Sequence, residues 1–261
     1  MKREMKQYFL MSLVALVAMT MTSCMHVKIG DKNWSFGSGH TNNTPTQVHQ
    51  VGQATEMAAF DDVNAAGPFN VIYEQGNTCT VLVKGSIEQL EKMTIYVKDG
   101  GLYIDQRKNE PSGTFDGLQV FVTSPSLDGI GIAGSGSLTA PEALTVNNIT
   151  LEVAGSGAIT LAQLTCTDLR NDIAGSGKIT LGVAQANKVN NEIAGSGDID
   201  IAGLTCKDVK NVIAGSGDVI INNMNVDNVK SEIAGSGDVI MRGTVKNHSE
   251  DIAGSGKVKL N

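Results

Sequence analysis

From Ile132 to the end of the chain, aliphatic residues recur at fixed phases of a period close to 20 residues. Phase 0 holds Ile132, Val153, Ile173, Ile193, Ile213, Ile233 and Ile252, in steps of 21, 20, 20, 20, 20 and 19 residues. Phase 6 runs from Leu138 through Ile159, Ile179, Ile199, Val219 and Val239 to Val258. Phase 8 runs from Ala140 through Leu161, Leu181, Ile201, Ile221 and Met241 to Leu260. Further columns lie at phase 11 (Leu164, Ala184, Leu204, Met224, then Thr244), phase 13 (Cys166, Ala186, Cys206, Val226, then Lys246) and phase 16 (Leu169, Val189, Val209, Val229, then Ser249). The pairs at 6/8 and 11/13 keep the two-residue spacing of a strand, and no window carries a helical stripe. Each period is punctuated by Gly-Ser-Gly, a turn signal between β-branched runs.

One such unit cannot fold alone, because its few buried aliphatics do not offset the entropy of ordering its backbone. Stacking repairs this: each coil hydrogen-bonds to the next and the columns merge into one core. The pattern therefore predicts an all-β, single-stranded parallel β-helix, a solenoid with coils of about 20 residues. A leucine-rich repeat would need an L-x-x-L-x-L-x-x-N-x-L run and a helical return limb, and a calcium-binding β-roll would need glycine turns about every nine residues. The chain has neither.

Upstream the pattern is β-like but irregular. Phe69, Val71 and Tyr73 alternate, as do Cys79, Val81 and Val83, and later Leu118, Val120 and Val122. Ser86 to Met93 allows one short helix. These segments read as larger, less regular coils over 57–127 that feed the regular coils of 128–261, together forming one head over 57–261. A separate small β-domain is the alternative.

Residues 1–23 read as a secretory signal: Lys2, Arg3 and Lys6 precede an apolar run from Tyr8 to Met21 that is short for a membrane span. The run ends in Thr22-Ser23-Cys24, which resembles the bacterial lipoprotein signal. That resemblance makes Cys24 the lipidation site and the mature N-terminus, with an ordinary signal cut nearby as the alternative. Residues 24–56, rich in Asn, Thr, Gly and Gln, are expected to be a polar tether. The chain carries −7 at pH 7. Removing 1–23, with Lys2, Arg3, Lys6 and Glu4, leaves −9. A basic nucleic-acid surface is not expected.

The motifs Phe60-Asp61-Asp62-Val63, Gly67-Pro68-Phe69-Asn70-Val71, Gln75-Gly76 and Val97-Lys98-Asp99-Gly100-Gly101-Leu102-Tyr103-Ile104, followed by the Gly-Ser-Gly repeats, resemble the putative auto-transporter adhesin, head GIN domain family. Its members are common among lipoproteins of Bacteroides-like bacteria. The resemblance covers roughly Phe60 to Asn261. It implies a right-handed parallel β-helix and an adhesin-type function. An auto-transporter would carry a C-terminal membrane barrel, whereas five residues follow Gly256. A lipid at Cys24 would then replace that anchor.

Candidate chemistry is sparse. Cys166 and Cys206 share a column two coils apart, about 9.6 Å by strand spacing, too far for a disulfide. With Cys79 they read as small core residues. His26, His40, His49 and His248 form no grouping with a nucleophile. Two acidic columns stand out. Glu152, Asp172, Glu192, Glu232 and Asp251 precede the phase-0 residue, and Asp198, Asp218 and Asp238 stand at phase 5 on three successive coils. The latter three are the weak candidates for a cation site, since stacked carboxylates repel unless neutralised. A solvated face is the structural reading of both columns. After Phe121 no aromatic residue occurs, so the repeat faces lack sugar-stacking platforms. A stacking glycan site would draw on Tyr73, Tyr96, Tyr103 or Phe115. Lys246, Ser249, Lys257 and Lys259 on the last coil read as a charged cap on an open sheet edge.

The function expected from these features is non-catalytic: a lipid-anchored envelope protein, in the outer membrane, presenting a rigid β-helical surface to a protein or glycan. No cofactor and no catalytic residue are expected. A polysaccharide-active lyase or hydrolase and a purely structural envelope element are the alternatives.

Overall fold

The computed structural model describes residues 25–29, 32–36, 48, 50–107, 110, 111 and 113–261, the first two segments by backbone alone. Cys24, His40 and His49 lie outside the described residues, as does the 1–23 signal. Nearly every described element is a strand, and the predicted solenoid is present.

The regular body consists of β10 (Gly129–Gly134), β11 (Ser137–Thr145), β12 (Asn148–Gly155), β13 (Ala158–Thr165), β14 (Asp168–Gly175), β15 (Lys178–Gln185), β16 (Lys188–Gly195), β17 (Asp198–Gly215), β18 (Val219–Gly235), β19 (Val239–Gly254) and β20 (Val258–Leu260). Each strand pairs in parallel with its equivalent one period on. Thus β12 lies on β14 with Asn148 opposite Asp168 and Gly155 opposite Gly175. From β17 onward one long strand covers both limbs of a coil. The columns at phases 0, 6 and 8 are buried from coil to coil until the last, where Leu260 is 46% exposed.

The Gly-Ser-Gly turn is fixed by backbone crowding. Gly215 has φ 141°, and a Cβ there would lie 2.0 Å from the carbonyl oxygen of Gly195 one coil earlier. The second glycine is equally confined, since a Cβ on Gly217 would lie 2.0 Å from Gly197 O. Between them Ser216 is exposed, and its N–H donates to Gly195 O at 2.8 Å. The serine is tolerated there; the glycines are required.

Two features depart from the expected phases. The last step of 19 residues places its deletion between Met241 and Gly243, so Val245 pairs with Val226 and His248 with Val229. Val245 and His248, not Lys246 and Ser249, continue the phase-13 and phase-16 columns. Gly243, φ 135°, takes the phase-11 place expected for Thr244. The last coil is thus less polar inside than the sequence count implied. Lys246 and Lys259 remain on its outer side, paired to Asp227 and Asp238 of the preceding coil at 2.6 and 2.7 Å.

The second departure is interior. Two residues before phase 0 the inward column reads Leu102, Val63, Ile130 and Leu151, then Asn171, Asn191, Asn211 and Ser231. All four polar members are fully buried. Asn171 Nδ2 donates to Asn191 Oδ1 at 2.8 Å, Asn191 to Asn211 at 2.8 Å, and Asn211 to Ser231 Oγ at 3.3 Å. Stacking identical amides at the coil spacing lets each satisfy the next, as a buried amide must.

The irregular part comprises β3 (Ala54–Glu56), β4 (Asp62–Ala66), β5 (Asn70–Gln75), β6 (Thr80–Lys84), α1 (Ile87–Glu91), β7 (Met93–Lys98), β8 (Gly101–Gln106) and β9 (Gln119–Ser124). The expected helix is α1, closed by a capping box of Ser86 and Gln89. These coils do not stack in chain order. The β4–β5 coil lies between the β8–β9 coil and the first regular coil, since β4 pairs with both β8 and β10 and β5 with both β9 and β11. Antiparallel β7 then covers β8, and β6 covers β9, closing the N-terminal end. The cap shares the solenoid core and is continuous with it.

The described residues between 25 and 56 include three strands and a buried Val48. Strands β1 (Met25–Ile29) and β2 (Lys32–Phe36) pair antiparallel, Met25 opposite Phe36 and Ile29 opposite Lys32. Val48 is buried, Val51 bridges to Val83, and β3 pairs antiparallel with β6. The sheet therefore begins before residue 57. Apolar Val48 and Val51, set in a polar stretch, have a core to join.

Candidate binding groove

The two outward acidic columns behave differently from a solvated face. Asp198 Oδ1 accepts the N–H of Asp218 at 3.1 Å, Asp218 Oδ1 that of Asp238 at 2.7 Å, and Asp238 Oδ1 that of Lys257 at 2.9 Å. Each carboxylate ties its coil to the next, where the Gly-Ser-Gly turn leaves an N–H unpaired. The Lys259 ammonium, with the Lys257 N–H, holds the Asp238 carboxyl below its ordinary range. Among the described residues no group of three or more His, Cys, Asp or Glu is arranged to hold a metal.

In the other column Glu152 and Asp172 are buried rather than solvated, at 4% and 1% exposure. Arg170 binds Asp172 at 2.6 Å and Glu192, one coil on, at 2.7 Å. Burial nevertheless pushes the Asp172 carboxyl up to about 7, against the pull of Arg170. Asp172 Oδ1 has no hydrogen-bond partner. An arginine engaged in this way is a structural clamp. The other repeat arginine, Arg242, donates to Asn222 at 2.8 Å.

The thiols of Cys166 and Cys206 are free, and burial pushes both up to about 11. They and Cys79 pack in or against the core, as expected of small apolar residues. Two of the aromatic candidates are unavailable, Tyr73 at 0% and Phe115 at 4% exposure. Tyr73 gives its hydroxyl to Ser124, and Phe115 meets Phe69 edge-on. Tyr96 and Tyr103 stack on each other with centroids 5.2 Å apart, and Tyr96 Oη donates to Asp105 at 3.1 Å. Their faces are therefore partly spent on each other.

One concave feature of the body is an open groove of about 360 Å³ over the outward side of β16 to β19. Lys188, Lys210 and Lys230 rise along it on three successive coils. Asn190, Asn228, Asn247 and Ser249 supply amides and a hydroxyl, and Val209 and Val229 lie beneath. Asn228 donates to Asp208 at 2.8 Å and Asn247 to Asn228 at 3.0 Å, a second amide ladder on the outside. Lys230 binds Glu232 at 2.6 Å and Lys210 reaches the same carboxylate at 4.0 Å. His248 lines the C-terminal end, its Nε2 buried and without a partner. The sequence held each of these residues, but a groove depends on how the limb bends, which residue spacing does not report. The one usable signal was a lysine on three successive coils, Lys188 two phases before the aligned Lys210 and Lys230.

The profile of the family described as "Putative auto-transporter adhesin, head GIN domain" matches residues 59–223 and 212–261. The chain belongs to this family. Solved structures share its fold. A putative adhesin from Bacteroides fragilis superposes with a TM-score of 0.73 at 23% identity, over 80% of this chain and 95% of that one. A putative lipid binding protein from Parabacteroides distasonis gives 0.65 at 20% identity, over 84% and 98%. A putative adhesin from Parabacteroides merdae gives 0.64 at 20%, over 84% and 97%. At these identities the likeness is one of fold. Among curated proteins, none matches the chain in sequence. The GIN-domain match takes in the irregular cap as well as the repeats, so the backtracking N-terminal coils belong to the family's domain.

Proposed function

We propose that this chain is a non-catalytic binding protein of the cell envelope, anchored by a lipid on Cys24 and using its solenoid body as a rigid adhesive surface. The observation that carries the reading is the groove: outward lysines and amides on the successive coils of β16 to β19, with Lys210 in register with Lys230 and Asn228 with Asn247. A hydrogen-bonded parallel stack presents such groups preorganised, so little conformational entropy is lost on binding. Membership in a family named for adhesin heads supports the same reading. So do the engaged states of Arg170 and of the phase-5 aspartates, whose polar atoms are committed within the stack.

The anchor and the adhesive role are tested together in cells. The full chain should incorporate labelled fatty acid and sediment with membranes. Cys24→Ser should lose the label, move to the soluble fraction and abolish retention of the cells on a coated surface that retains cells carrying the unaltered protein. Equal labelling and membrane association of Cys24→Ser would overturn the anchor. Equal retention of cells lacking the protein altogether would overturn the adhesive role.

A further inference from the structure

We infer that the groove over β16 to β19 is a binding site for a linear anionic polysaccharide laid along the solenoid axis; this rests on the binding reading above. Four observations lead there. Lys188, Lys210 and Lys230 stand on consecutive coils that step along the axis by about 4.8 Å each; Lys210 and Lys230 are in register, and Lys188 lies two residues back along its strand. That is a row of cations running the length of the groove, on a chain whose net charge is −7. The row is incompletely neutralised. Lys210 and Lys230 share the carboxylate Glu232, and Lys188, in register with Asp168 and Asp208, forms no ion pair among the described residues; against the three cations the groove lining holds the one carboxylate Asp208. Stacked ammonium groups repel one another, and an anion lying along the row relieves that repulsion.

The remaining groove groups select the kind of polyanion. Asn190, Asn247 and Ser249 offer amide and hydroxyl groups suited to sugar hydroxyls. The volume of about 360 Å³ falls in the range of small-ligand sites. No aromatic residue follows Phe121, so bases could not stack and a neutral sugar would have no platform. Duplex nucleic acid places a phosphate every ~1.7 Å along its axis, a density that three lysines do not match. Recognition here therefore runs through charge and amides, which suits carboxylate or sulfate groups carried on a hydroxyl-rich chain.

The test uses the full-length protein in detergent and fluorescently labelled oligomers: oligogalacturonate, dextran sulfate, neutral dextran and poly-glutamate. One or both anionic polysaccharides should bind, more weakly as salt rises, and which of them binds identifies the anion as carboxylate or sulfate. Neutral dextran and poly-glutamate should not bind. The triple change K188Q/K210Q/K230Q should weaken binding about tenfold or more. K84Q/K98Q/K257Q, which removes three exposed lysines elsewhere, should bind as the unaltered protein does and controls for net charge. K188Q alone, at an exposed side chain, gives a second readout should the triple variant fold poorly; it should weaken binding without altering the melting temperature. The inference is overturned if neither anionic polysaccharide binds, if neutral dextran or poly-glutamate binds equally well, or if both lysine triples behave alike. Cells retained on a surface while the protein binds none of these oligomers would remove the groove assignment and leave the adhesive role standing.

Discussion

The buried amide ladder makes a non-additive prediction. Asn191 accepts from Asn171 and donates to Asn211, and all three are fully buried. Asn191→Leu keeps the volume nearly constant but strands two polar atoms, Nδ2 of Asn171 and Oδ1 of Asn211. Each stranded group costs about 1–3 kcal/mol, so the single change should destabilise by about 2–6 kcal/mol. The triple change of Asn171, Asn191 and Asn211 to Leu removes the partners together. It extends the apolar run of Leu102, Val63, Ile130 and Leu151 that precedes the ladder in the same column. It also deletes Asn171 Oδ1, which has no partner in the folded protein. Only the Ser231 hydroxyl is left without its neighbour, so the triple variant should lie within about 1–2 kcal/mol of the unaltered protein. Denaturant unfolding followed by far-ultraviolet circular dichroism measures both. A triple variant less stable than Asn191→Leu would refute the reasoning, because it would mean that the amides stabilise the stack by more than mutual satisfaction.

Three further outcomes follow from the packing. Val209→Asp should destabilise by on the order of 3 kcal/mol or more, because the site is 3% exposed in an aliphatic column, whereas exposed Lys207→Asp should shift the melting temperature little; equal shifts would contradict the coil phase. Gly215→Ala should cost about 1–3 kcal/mol for its backbone conformation alone, and more from the contact with Gly195 O, while the neighbouring Ser216→Ala should be neutral in the same thermal melt. Asp172 tests the balance between burial and ion pairing. Its carboxyl is raised in the fold, so its stabilising contribution is complete below its ordinary range near 4 and is lost as pH rises through about 7. Asp172→Asn should flatten that fall, and a stability that instead rises with pH over this window would show that Arg170 outweighs burial.

Much of this fold was legible because a solenoid writes its core as columns. Phases 0, 6, 8 and 16 identified buried residues from Leu138 to Met241 without reference to any contact. The misphased last coil shows the weakness of counting: a one-residue deletion after Met241 is invisible until backbone pairing puts Val245 against Val226. The inner asparagines were missed for a physical reason. Polar residues are read as outward by default, and only stacking in three dimensions satisfies an amide inside a core. The backtracking of β4–β5 between β8–β9 and β10–β11 was also hidden, since pairing across 67 residues, as between Asp62 and Gly129 or Asn70 and Ser137, leaves no periodic trace. At the candidate site the sequence drew attention to the stacked aspartates, whose oxygens bind backbone N–H groups. The lysine groove went unseen because Lys188 stands two phases from the aligned Lys210 and Lys230, so the three form no single column.

The central claim is that the body binds a ligand and leaves it chemically unchanged. It is tested most directly by probing a glycan and matrix-protein array with the labelled full-length protein, then measuring the mass of each bound component after prolonged incubation. The account predicts saturable binding to a restricted set of components, with every mass unaltered. A bound polysaccharide returned shortened, or an array with no saturable binding at all, would contradict it.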